Sequence, residues 1–202
     1  METGPLWTLM ADVRRLGLTG GRRDAWLREA LLELGPGGLA RFQAGLDDAL
    51  AEAFTWNLWA AADRLFGGWC SDDAFAYFQR WMVGLGRPVF EAVVADPDAL
   101  AHVPQVRALA GRPRHAWGGD APQWPSLPDL APAAHARLTG APEDAFHAAV
   151  AALRTPAAPA AAPSGRRWSA VDESEAVRRL PRLAALFPLP EGGAQVPLTS
   201  RM

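Results

Sequence analysis

The chain has 202 residues, half of them hydrophobic, and a formal net charge of −2. That is one domain's worth, long enough for a sizeable core with room for an appendage. All twenty basic residues are arginine, and their pairs (Arg14–Arg15, Arg22–Arg23, Arg166–Arg167, Arg178–Arg179) are scattered, so the concentrated basic footprint of a nucleic-acid binder is missing and nucleic acid is not expected as a partner.

Other exclusions follow from order and content. No uncharged apolar run reaches the roughly 18–20 residues that span a bilayer. The N-terminus has no basic segment leading into a clean apolar one. Cys70 is the single cysteine, so no internal disulfide can form. The expectation is a soluble, cytoplasmic chain with no membrane partner. Ile is absent and Val, Thr and Tyr are sparse, while Ala, Leu and Arg abound, which favours helices over sheets.

The first helix is expected over Pro5 to Leu16, with Leu6, Leu9, Met10 and Val13 on its apolar side. A second follows from about Arg23 to Leu34, and "PGG" opens a third. In that third region Leu39, Phe42, Leu46, Ala49, Leu50 and Ala53 keep a 3.6-residue spacing. From Phe54 to Phe66, "FTWNLWAAADRLF" is apolar nearly all round, which predicts a central helix with neighbours on every side. The spacing leaves open whether it continues the third helix or starts afresh at Thr55. Asn57 shares the wheel line of the core leucines and is expected to be buried. Asp63 and Arg64 need opposite charges from another helix, with Arg80, Arg87 and Glu91 as the candidates.

Gly67 and Gly68 break the chain. Ser71 to Leu85 forms the next helix, with Phe75, Phe78, Trp81, Met82 and Leu85 inward. Pro88 starts another, and "DPDALA" signals a short helix capped by Asp96, with Asp98 near its own positive end. Residues 111–130 lack a period and read as an ordered surface loop, in which Trp117 and Trp124 are candidates for a contact surface. Trp56, Trp59, Trp69 and Trp81 read as core. Weak helices are expected at about 131–138 and 142–153. The division is a helical domain over 1–153, a mobile Pro/Ala linker over 154–165, a helical tail over 166–190 and a disordered end over 191–202. The fold class is all-α, a bundle of about six to eight helices with a linker-tethered helical tail.

The densest chemistry is "WCSDDAFAYFQRW". A thiol at a helix N-terminus can be reactive, but a nucleophile needs a base, and no motif marks His102, His115, His135 or His147 as that partner. Asp72 and Asp73, adjacent on a helix, diverge by about 100° and do not chelate one ion unaided. Helix-start chemistry explains the same letters: Ser71 as N-cap, Asp72 and Asp73 in the first turn, Cys70 as a small buried residue. Asp73, Tyr77, Arg80 and Gly84 fall on one helical line, continued by Arg87 and Glu91. This polar strip suits a small polar ligand or a partner protein's side chain. No phosphate loop, metal set or cofactor motif is present, so no cofactor is expected.

The segment "TWNLWAAADRLFGGWCSDDAFAYFQRWMVGLGRPVFEAVVADPDALA", with "LWTLM" before it and "RRW…DESE…RLPRLAALF" after it, resembles a bacterial family known as domain of unknown function 4240, over about residues 5–187. The resemblance implies a helical domain with no assigned activity, so it supplies no functional residue. Two functions of different classes are carried forward. One is a non-catalytic binding or interaction module using Asp73, Tyr77, Arg80, Arg87 and Glu91. The other is a hydrolase-like enzyme using Cys70, Asp72 or Asp73.

Overall fold

A computed structural model describes residues 4–154 and 160–190. Every regular element in it is a helix: α1 (Pro5–Arg15), α2 (Gly20–Leu32), α3 (Gly35–Glu52), α4 (Trp56–Leu65), α5 (Asp72–Gly84), α6 (Arg87–Ala95), α7 (Pro104–Arg107), α8 (Leu127–Thr139), α9 (Glu143–Ala151), α10 (Glu173–Arg179) and α11 (Pro181–Leu186). Three short 3-10 segments join them, at Pro97–His102, Arg114–Ala116 and Gly118–Asp120. The helices outnumber the expected six to eight because short pieces such as α7, α10 and α11 are too brief to carry a readable period.

Apolar spacing sets the inner faces. Leu6, Leu9, Met10 and Val13 of α1 are buried, as are Leu39, Phe42, Leu46 and Ala49 of α3. α3 packs against α1, α2, α5, α8 and α9 and keeps Arg41, Asp48 and Glu52 exposed. In the segment expected to be central, Leu58, Ala60, Ala61, Ala62, Arg64 and Leu65 are buried. A break at Ala53–Thr55 ends α3, and Thr55 starts α4 afresh, its hydroxyl accepting from the Leu58 N–H at 3.1 Å. α4 packs on α5, on the Pro97–His102 turn and on α11. One side of it is left half-open: Trp56, Trp59 and Asp63 are partly exposed and Asn57 is exposed. An indole counts as apolar in a wheel, but it tolerates a wet edge, so a Trp-rich helix need not be enclosed.

The tail docks on the core, and charges hold it there. Arg64 has no exposure. Its guanidinium donates to the Glu173 carboxylate at 2.6 and 3.0 Å and to the carbonyls of Phe187 at 2.7 Å and Ala184 at 3.1 Å. The partner of Arg64 is thus Glu173 of the tail, not a group on α5 or α6. Asp98 is also buried. It does not serve its own turn but accepts from the N–H groups of Arg182 and Leu183, so it caps α11 from across the chain. Leu180 and Leu183 complete the contact as buried side chains. Asn57, expected in the core, instead accepts from the Trp168 indole N–H at 3.0 Å, because its side of α4 faces the tail.

The loop after α7 reverses another expectation. Trp117 and Trp124 are buried, whereas Trp69 is 63% exposed. Trp124 donates its indole N–H to Asp24 at 2.9 Å and its backbone N–H to the Tyr77 carbonyl at 3.0 Å. The Ser126 hydroxyl donates to the same Asp24 carboxylate, and the Arg23 guanidinium lies 3.5 Å over the Trp124 ring. Gly84 lets this ring down onto α5: a Cβ there would come within 3.0 Å of it. The expected disorder of 191–202 and the expected mobility of 155–159 lie outside the described residues.

Candidate functional site

The first half of α4, the turn after it and the start of α5 enclose a groove of about 710 Å³. Its aromatic wall comes from Phe54, Trp56, Trp59 and Trp69. Trp56 and Trp59 have ring centroids 5.7 Å apart, and Trp59 stacks on the buried Phe75 at 4.4 Å, which fixes its orientation. Asp63 follows Trp59 by four residues, one helical turn on, so the two share a face. Gly67 and Gly68 then reverse the chain with φ of +84° and +105°, a region open to glycine at little cost. The reversal brings Cys70 back to Asp63, whose carboxylate accepts the Cys70 backbone N–H at 2.7 Å.

Ser71 caps α5, its hydroxyl accepting from the Ala74 N–H at 3.2 Å, as the sequence suggests. Asp72 and Asp73 occupy the first turn and stand exposed at the groove's rim. The far wall is the chain leading into the tail. Ser164 forms a parallel bridge with Thr55: its N–H donates to the Phe54 carbonyl and its own carbonyl accepts from the Trp56 N–H, both at 2.9 Å. Ala161, Ala162 and Pro163 line this wall, and the Arg167 guanidinium sits 4.9 Å from the Trp56 ring centroid.

The electrostatics of the two inner groups follow from burial. Removing the Asp63 carboxyl from water pushes its pKa up to about 6, against the opposing pull of the Cys70 bonds and Arg167. The Cys70 thiol is buried, and that burial, reinforced by the Asp63 charge, pushes it up to about 12. At neutral pH it is a protonated, enclosed sulfur, the opposite of an activated nucleophile.

Of the residues in the sequence-derived strip, the structure brings only Asp73 to this groove. Tyr77 is half-buried under the Arg80 guanidinium, 5.6 Å from its ring centroid. Arg87 and Glu91 pair with each other along α6 at 2.6 Å. The strip thus separates into local pairs, and Gly84 at its end is covered by Trp124. Trp56, Trp59, Asp63, Trp69 and Arg167 are groove residues that the sequence did not mark as a site, the three indoles being read as core. The four-residue spacing of Trp59 and Asp63 was a usable signal; nothing local announced Arg167.

The fold and groove define an all-α protein with an aromatic, acid-rimmed cleft built largely from its "WNLW…D…WCSDD" residues. Residues 1–138 match the model of a family described as protein of unknown function (DUF4240), and the chain belongs to that family. No curated protein and no solved structure matches it. The match ends at the close of α8, so the residues of the tail that engage Arg64, Asp98 and Trp56 lie beyond it.

Proposed function

We propose that the protein is a non-catalytic binding module whose groove takes a cationic group, a guanidinium or ammonium carried on a peptide. The observation that carries this reading is the arrangement around Trp56: an arginine already lies over its ring, and the other charged groups lining the groove, Asp63, Asp72 and Asp73, are all carboxylates. Indole faces attract cations through the ring quadrupole, and a partly desolvated carboxylate nearby adds Coulomb attraction in a low dielectric. Asp73 is the residue that this reading shares with the polar strip of the sequence.

The hydrolase-like alternative has less to work with. The Cys70 thiol is enclosed and bonded to Asp63, and the Ser71 hydroxyl is committed to capping α5. No histidine lines the groove among the described residues. The test is a tryptophan-fluorescence titration of the full chain with tetra-arginine and with tetra-glutamate. Saturable binding of the first alone is expected, weakened about tenfold by Asp63→Asn, a change worth ~1.4 kcal/mol. Binding of both peptides alike, or of neither, refutes the reading.

A further inference from the structure

We propose that a second cleft, bounded by α6, the Pro97–His102 turn and α7, binds a small apolar carboxylate. Its volume is about 450 Å³, inside the range of roughly 300–1,000 Å³ usual for small-molecule sites. Leu85, Val89, Val93, Ala99, Val103 and Pro104 make its walls apolar. The polar side chains lining it are Arg14, His102 and Gln105, and no carboxylate is among them.

That absence is specific, because the acids nearby are engaged elsewhere. Asp12 pairs with Arg15, Glu91 with Arg87, Asp98 with the N-terminus of α11, and Asp96 with the Asp98 N–H and Arg182. The Arg14 guanidinium is left with no hydrogen bond or ion pair among the described residues. The Arg14 side chain is exposed. It lies across Gly86, where a Cβ would come within 2.8 Å of its Cδ and 2.9 Å of its Nη1. Glycine suits position 86 for its φ of +82°, and its lack of a Cβ leaves room for this close approach. A guanidinium lining an apolar slot matches a carboxylate head on an apolar body: the fork geometry of arginine suits the head, and the walls suit the rest.

The proposal is independent of the groove around Asp63. The probes are octanoate, 1-octanol, which keeps the chain without the charge, and acetate, which keeps the charge without the chain. The full chain is titrated and the backbone amides of Val89, Val93, Ala99 and Val103 are followed by NMR. Octanoate is expected to saturate these shifts, octanol to bind about tenfold more weakly and acetate to leave them unmoved. Arg14→Ala, a change at an exposed side chain, is expected to lower octanoate affinity by about the same factor, leaving octanol binding and the melting temperature unchanged. Octanol binding as tightly as octanoate, an Arg14→Ala protein that binds octanoate normally, or cleft amides that never shift would each overturn it.

Discussion

Asp63 and Arg64 are adjacent on α4 and meet contrasting surroundings. Arg64 points into the tail interface, where a carboxylate and backbone carbonyls satisfy it. Asp63 points into the groove, where it holds one backbone N–H and the Cys70 thiol and otherwise faces open space. Both lose water, Arg64 wholly and Asp63 in part. What differs is completion: a saturated buried charge fixes a structure, whereas a half-satisfied one at a cleft has capacity left for a ligand.

Breaking the saturated side gives the largest effect. Arg64→Ala strands the Ala184 and Phe187 carbonyls and removes the tail's anchor, so a loss on the order of 3 kcal/mol is expected in denaturant unfolding. Asp98→Ala comes next: it uncaps α11 and exposes two orphan N–H groups, for about 1–2 kcal/mol by the same measurement. A tail that merely hung from the linker would leave both variants as stable as the parent.

The open side responds to pH instead. Asp63 titrates near 6 when folded against its usual 3.8. Between those values the folded chain holds more protons than the unfolded one, so the Asp63 contribution falls as pH rises through 6. The melting temperature of the parent should therefore drop between pH 5 and 7 relative to Asp63→Asn. Affinity for a cation should move the other way and rise across the same window, because it needs the ionised carboxylate. The smallest effect expected is chemical. Cys70, pushed up to about 12 and buried, should react with Ellman's reagent only as fast as the protein opens, and at once in denaturant.

Local pattern made the inner faces of α1, α3 and α5, the Ser71 cap and the helix break at Gly67–Gly68 legible. Those depend on residues within a turn or two of one another. The tryptophans were read less well. Trp124 sits among Pro and Gly yet is fully buried, because Asp24 a hundred residues earlier takes its indole N–H. Trp69, read with the core indoles, is exposed, because the reversal at Gly67–Gly68 turns it outward. The partners of Arg64 and Asp98 lie more than eighty positions away in a segment set off by a low-complexity linker. Sequence showed that these charges needed partners, and packing alone could name them. The groove shares this division: its α4 and α5 walls stand in one motif, while its third wall comes from 161–167.

The most direct test of the account is to watch the groove's own indoles. In a 1H–15N NMR titration of the full chain with tetra-arginine, the side-chain N–H signals of Trp56, Trp59 and Trp69 should shift and saturate together. The signal of Trp124, locked on Asp24, should stay fixed. Shifts spread evenly over all the indoles, or the same shifts with a neutral peptide, would contradict a cation site built on Asp63 and its tryptophans.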